Sequence, residues 1–206
     1  MLNVVLVEPE IPANTGNIGR TCVICGARLH LVAPRFDLSD KAVKRAGLAY
    51  WQSLDLACYP SWEAFLEKNP LAARALSSSG NSPADAGGGA PAVHLLTKAG
   101  ARVFSEARYH ENDYLVFGKE STGLDRELLA AHPELCERIP SRHDEVLANA
   151  DEWHRAHARQ HPELKRDICG NFVDPRAGEV VSLNLSNAAA IVLYEALRQL
   201  GYPGLR

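Results

Sequence analysis

The chain has no run of apolar residues long enough to cross a bilayer, and Met1-Leu2-Asn3-Val4 opens it without a basic leader and cleavage site, so a cytoplasmic location is expected. Cysteine is scarce and odd in number: Cys22, Cys25, Cys58, Cys136 and Cys169 cannot make a closed disulfide framework, and reduced thiols are expected. Cys22-Val23-Ile24-Cys25 has redox or zinc spacing, but it falls inside a predicted helix beside Gly26 with no second pair at matching distance. It reads as two small buried residues. Positive charge is not in excess either. With 22 Lys and Arg against 25 Asp and Glu the net charge is −3, so any nucleic-acid footprint must be local.

The common nucleotide and nucleophile signatures are missing too. Gly118-Lys119 is followed by Glu120 rather than Ser or Thr and lacks the upstream glycine of a phosphate loop. A dinucleotide fingerprint would open the first helix with spaced glycines, whereas Gly16 and Gly19 stand behind Pro12 and Asn14. No serine-histidine-acid arrangement is apparent, and the carboxylates do not pair.

What is present is a chain of 206 residues, 46% apolar, sized for one domain with a buried core. The run 2–7 reads as a buried strand stopped by Pro9 and Pro12, followed by a helix from about Asn14 to Cys25 that Gly26 ends. Leu29 to Val32 makes the next strand, and Ser39 or Asp40 caps a basic helix through Arg45. Strands follow at Val93 to Thr97 and Tyr114 to Phe117, with helices near Trp62 to Lys68 and Asp125 to Ala131. This alternation predicts an α/β fold, a mostly parallel sheet with helices on both faces. The last helix, capped by Ser186 or Asn187 and closed by Gly201, carries Ile191, Leu193, Tyr194, Leu197 and Leu200 over so much of its circumference that it should be buried, in a subunit interface if not in the core.

Two segments read as additions to a single domain spanning 1–206. The stretch at about 77–91 has three consecutive serines and three consecutive glycines, the composition of a flexible surface loop. The stretch at about 141–180 carries Trp153 with six basic and eight acidic residues, and is expected to form a polar helix with flanking loops. There His154, His157 and His161 share a helical face, and Cys169 would complete a zinc set, although exposed histidines on a charged insertion give the same pattern. The first fifty residues are locally basic, six basic side chains against four acidic. A solvated helix face and an RNA contact explain Lys41, Lys44 and Arg45 equally well.

Three polar clusters remain: 14–20 (Asn-Thr-Gly-Asn-Ile-Gly-Arg), 117–123 (Phe-Gly-Lys-Glu-Ser-Thr-Gly) and 182–187 (Ser-Leu-Asn-Leu-Ser-Asn). Each places amides, hydroxyls and one charge where a buried strand should end, so that together they suggest a shared small-molecule site. Taken singly each is a cap or a turn, with Asn14 capping one helix and Ser186 or Asn187 another. The polar side chains, Glu120, Arg20, Ser182, Asn184 and Asn187, suit a neutral or cationic cofactor with an anionic substrate steered by Arg20.

Asn14-x-Gly16-x-x-x-Arg20, Phe117-Gly118-x-Glu120-x-x-Gly123-Leu124, Ile139-Pro140 and Ser182-Leu183-Asn184-Leu185-Ser186-Asn187-Ala188 resemble, in order, the motifs of the SPOUT superfamily of knotted RNA methyltransferases. The segments 8–12, 45–48 and 194–204 sharpen the likeness to its branch that methylates a ribose 2′-hydroxyl at the tRNA wobble position. The resemblance implies a C-terminal deep trefoil knot, S-adenosyl-L-methionine as cofactor, tRNA as partner, a homodimer, and no metal. Leu96, Gly118, Ile139 and Ser182 would then line the cofactor pocket, Arg20 would face the acceptor hydroxyl, and Asn14, Glu120, Asn184 and Asn187 would hold loops and substrate in register. The implied activity is methylation of wobble nucleotide 34 of leucine tRNAs. Methylation of another tRNA or rRNA site, or a non-catalytic RNA- and cofactor-binding module, stands as the alternative. Arg20 suits an orienting donor better than a base, although proposals for the superfamily make it a base. The family pattern reads Ile-Pro-Met and soon reaches Ser-Leu-Asn; here Ile139-Pro140-Ser141 is followed by the forty-residue addition.

Overall fold

Runs of Val, Leu and Tyr that are apolar on both sides become strands only where helices cover both faces of a sheet. In the computed structural model, which describes residues 1–37, 49–77, 91–141, 165–166, 172–173 and 182–206, seven strands form such a sheet. They are β1 (Asn3–Val7), β2 (Arg28–Val32), β3 (Leu56–Tyr59), β4 (Val93–Leu96), β5 (Arg102–Val103), β6 (Tyr114–Phe117) and β7 (Cys136–Arg138). The sheet order is β3-β2-β1-β6-β4-β7-β5, and every pairing within it is parallel. From β1 the chain builds outward through β2 and β3, then crosses over to build the other half, with β6 seated directly against β1. That reversal puts a topological switch point between β1 and β6, and in open α/β sheets the crevice beyond the carboxyl ends of such a pair receives ligands.

Alternate residues of each strand feed two cores. On one face Val4, Leu6, Leu29, Leu31, Leu115 and Phe117 pack against α1 (Pro12–Cys25) and α5 (Leu185–Gln199). On the other, Val5, Val32, Tyr59, Leu95 and Val116 pack against α2 (Trp62–Lys68) and α3 (Pro70–Ser77), with Leu128 and Leu129 of α4 (Arg126–Ala131) at the margin. Both faces are therefore covered, as the strand composition requires. Cys22 and Cys25 lie in the first core, where burial pushes the Cys22 thiol up to about 12, which suits the reading of two small buried residues.

Several boundaries differ from expectation. α1 begins at Pro12, whose missing N–H costs nothing in a first turn, and Ile11 stands at the N-cap without a side-chain bond. Asn14 is thus one turn inside the helix and is not its cap. α5 is capped by Asn184, whose Oδ1 accepts from the Ser186 amide at 2.8 Å, rather than by Ser186 or Asn187. The helix ends as predicted at Gly201, in the left-handed region at φ 75°, with Tyr202 N–H bonding the Leu197 carbonyl and Gly201 N–H that of Arg198, a Schellman arrangement. Its burial is narrower than its composition suggested. Val192, Leu193, Ala196 and Leu197 are covered, whereas Ile191 is 40% and Tyr194 43% exposed.

The predicted basic helix at 39–45, almost all of the 77–91 loop, and His154, His157, His161 and Cys169 lie outside the described residues. Within the 141–180 addition the described residues are Ser141 and two strands, β8 (Lys165–Arg166) and β9 (Phe172–Val173). These pair antiparallel, and the expected polar helix lies outside the described residues.

Candidate active site

The loops that leave β1 and β6 meet over the switch point and grip each other reciprocally. Glu10 N–H donates to Glu120 Oε2 at 2.9 Å, while the Glu10 carboxylate accepts from the Ser121 amide and hydroxyl, each at 3.0 Å. Glu8, held at φ 51°, accepts from Lys119 Nζ at 3.2 Å and from the Arg35 guanidinium. The Arg35 bond, and then Lys119, hold the Glu8 carboxyl below its ordinary range against the opposing effect of burial. The β6 loop itself closes through Gly123 N–H to the Lys119 carbonyl at 2.9 Å. It closes that tightly only because residue 118 has no side chain: a Cβ there would stand 2.1 Å from the Gly123 carbonyl carbon.

A line of amides joins this pair of loops to the start of α5. Asn14 Nδ2 donates to Glu120 Oε1 at 3.0 Å, and Asn14 Oδ1 accepts from Asn184 Nδ2 at 2.9 Å. Asn184 Oδ1 in turn accepts from Ser186 N–H and its hydroxyl. Each amide is used as donor at one end and acceptor at the other, so flipping either would set like against like; the direction of the line is fixed by Glu120, which ionised can only accept. Residues separated by 106 and 170 positions are thereby held together, and both Glu120 oxygens are occupied by the β1–α1 segment. The carboxylate thereby ties the two loops and α1 together.

The other candidates fall around this line. Leu96, Gly118 and Ile139 come at the carboxyl ends of the neighbouring strands β4, β6 and β7, where Leu96 pairs with Phe117 and Glu137. Leu96 and Ile139 are half-buried on the first core. Ser182 and Asn187 are exposed on either side of Asn184.

Arg20 is separate as well. Six residues after Asn14 on α1, it points about 120° away around the helix and is exposed, with its guanidinium carbon 5.1 Å from the centre of the Tyr50 ring. The Tyr50 hydroxyl donates to the Gly16 carbonyl at 2.8 Å, which anchors that ring along the helix. Burial raises the Tyr50 hydroxyl above its ordinary value, and the Arg20 charge pulls it back.

Sequence reasoning missed Glu10, Ser121 and Tyr50. The signal for the first was available: Glu8-Pro9-Glu10 places two carboxylates in a loop that has no basic neighbour in sequence, so their partners had to come from elsewhere in the fold.

A parallel α/β sheet with its polar residues gathered at the switch point defines the class of protein, and the chain belongs to the SpoU rRNA Methylase family, whose profile matches residues 1–146. Its relatives narrow that class. It is 39% identical over 207 residues to the putative tRNA (cytidine(34)-2′-O)-methyltransferase of Listeria innocua, covering 98% of this chain and 90% of that protein. It is 37% identical over 206 residues to the tRNA (cytidine(34)-2′-O)-methyltransferase of Escherichia coli K12, covering 99% and 97%. Among solved structures, one described under structural insights into the 2-OH methylation of C/U34 on tRNA is 35% identical, with a TM-score of 0.67, covering 98% of this chain and 97% of that one. The SpoU methyltransferase AviRb from Streptomyces viridochromogenes, in complex with the cofactor AdoMet, shares the fold at 21% identity and a TM-score of 0.62, covering 97% of this chain and 60% of that one.

Proposed function

We propose that this chain is an S-adenosyl-L-methionine-dependent methyltransferase acting on a ribose 2′-hydroxyl of tRNA, at wobble nucleotide 34 of leucine tRNAs. The observation that carries the reading is the hydrogen-bonded line from Asn184 through Asn14 to Glu120, which draws three distant motifs to one switch point. Relatives named for the same reaction over almost their full length support it.

The residues at the strand ends fit such a donor. Leu96 and Ile139 offer half-covered apolar surface to a planar base, and Gly118 between them lets the β6 loop fold tightly over the strand ends. With Ser182 these residues would hold S-adenosyl-L-methionine, which supplies a methyl group on a positively charged sulfur. A hydroxyl approaching that methyl needs alignment above all, because charge is neutralised rather than built up along the way. Arg20 provides the alignment: a guanidinium has five N–H donors and no acceptor, so it orients the ribose or its phosphate rather than removing a proton. Stacking on Tyr50 restricts where that fork can point. Asn14, Glu120 and Asn184 act one step back by fixing the loops, and Asn187 at the exposed first turn of α5 meets the substrate.

The finer architecture belongs to the same proposal. The sheet carries a C-terminal deep trefoil knot, and 1–206 form one domain with additions at about 77–91 and 141–180. The protein is a cytoplasmic homodimer. The dimer is supported by apolar side chains left exposed at the carboxyl ends of α1 and α5: Ile24 at 61%, Tyr194 at 43% and Tyr202 at 42%.

Transfer of labelled methyl from S-adenosyl-L-methionine to transcribed leucine tRNAs, mapped by mass spectrometry, tests the reading. Label on the ribose of nucleotide 34 is the expected result. Label at another nucleotide would overturn the wobble assignment, and donor binding without turnover would overturn the activity.

A further inference from the structure

Behind the donor site lies a charged cluster that the proposed reaction does not use. His94, Asp113 and Glu137 are each 0% exposed, and the two ring nitrogens of His94 face the two carboxylates, Nδ1 at 2.8 Å from Glu137 Oε1 and Nε2 at 3.0 Å from Asp113 Oδ2. Arg102 Nη2 donates to the same Glu137 oxygen at 2.9 Å, and the Tyr109 hydroxyl sits 3.0 Å from the other and 2.9 Å from the Phe104 carbonyl. Asp113 is filled by the amides of Ala92 and His110, each at 2.7 Å. Two cations and two anions are therefore closed on one another inside the sheet.

Glu137 stands at the middle of β7, a strand of three residues joined to β4 by the pairs Leu95–Cys136 and Leu96–Glu137 and to β5 by Arg102–Glu137 and Val103–Arg138. So short a ladder specifies its register poorly, and a slip of one residue would turn every β7 side chain to the opposite face. Such a slip would carry the Glu137 carboxylate away from all its donors into the core of Leu95 and Val116, where an unpaired charge is prohibitive. In the observed register the Glu137 carbonyl also receives Thr97 N–H at 2.8 Å, beside Leu96, and Ile139 follows two residues on, on the same side of the strand as Glu137. Tyr109 extends the tie to α5, since its amide donates to Gln199 Oε1 at 3.1 Å.

We infer that Glu137, clasped by His94, Arg102 and Tyr109, is a positioning residue for the methyl donor: it pins β7 in register so that Ile139 stands beside Leu96 at the carboxyl edge of the sheet. The inference rests on the methyltransferase reading, and its test separates the two. Donor affinity of the full chain is measured by calorimetry, and steady-state kinetics are run with both substrates, for the parent, Glu137→Gln and Tyr109→Phe. Glu137→Gln should raise the dissociation constant and KM for S-adenosyl-L-methionine about tenfold, with kcat at saturating donor and the tRNA KM within about twofold, the signature of ground-state binding lost at one site. Tyr109→Phe, which removes one hydroxyl and keeps the ring, should give about threefold in the same direction. A general loss of folded enzyme would instead lower kcat alone. Unchanged donor affinity in a folded Glu137→Gln protein would overturn the inference; should that variant not fold, unchanged affinity in Tyr109→Phe would do the same. Absence of donor binding by the parent would overturn the methyltransferase reading and this inference with it.

Discussion

Raising the pH from 6.5 to 9 should cost this protein about 3 kcal/mol of folding stability through a single side chain, His94. The ionised carboxylates of Asp113 and Glu137 can only accept, so both imidazole nitrogens that face them must carry hydrogen, and the ring must be an imidazolium. Burial by itself pulls that ring down, but the hydrogen bonds to Asp113 and Glu137, joined by their charges, outweigh it and push His94 up from 6.5 to about 9. A folded state that holds its proton more tightly than the unfolded chain is fully favoured below the unfolded value. Between 6.5 and about 9 stability falls by about 1.4 kcal/mol for each pH unit, and above that range this contribution is gone.

Two other shifted groups act outside that window. His30, bonded to the Tyr59 hydroxyl and to Asn3 Oδ1, is pushed down to about 4 by burial and then by Arg28, so its favourable contribution is lost only as pH falls below 6.5. Cys136 is pushed up from 9 to about 11 by burial, and its effect begins where that of His94 ends. Urea unfolding at half-unit steps from pH 6 to 9.5, on the parent and on His94→Gln, isolates the slope, because glutamine has nothing to titrate. The expected result is a parent curve that declines across the window beside a nearly flat variant. A parent curve that stays level, or a variant that keeps the slope, would refute the imidazolium assignment.

Three substitutions probe the candidate site itself. Arg20→Ala should reduce methyl transfer by about 100-fold or more while the S-adenosyl-L-methionine dissociation constant stays within about twofold, since the guanidinium is assigned to the acceptor side; single-turnover rates and calorimetry check both halves. Gly118→Ala should destabilise the fold by about 3 kcal/mol or more, because the new methyl must displace the backbone of Gly123 and Leu124 rather than a flexible side chain, and denaturant midpoints measure it. Glu120→Gln keeps the shape but turns one acceptor into a donor facing Asn14 or Glu10, a loss of about 1.5–3 kcal/mol, readable as lower kcat/KM and a lower unfolding midpoint.

The parts of this architecture that follow from local pattern were legible in the chain, and those that depend on pairing across the fold were not. Val4-Val5-Leu6 and the 114–117 run announced strands buried on both faces, and Gly26 and Gly201 announced helix ends, because period and backbone freedom are properties of a few adjacent residues. Asn14 misled for the same reason. Its position near a helix start suggested a cap, yet Pro12 had already opened the helix, and the amide was taken by Glu120 and Asn184, 106 and 170 residues away. β7 has three residues, one sulfur-bearing and two charged, so nothing in the segment itself says strand; it becomes one because Glu137 finds His94 and Arg102 there. Asp113, Glu137 and His94 sit in unrelated stretches, and only the order β6-β4-β7 brings them together. A buried charge whose partner lies in another strand leaves no periodic trace, but it leaves a compositional one: His94 interrupts an otherwise apolar strand, and an ionisable residue in such a run implies partners of opposite charge on the strands at either side.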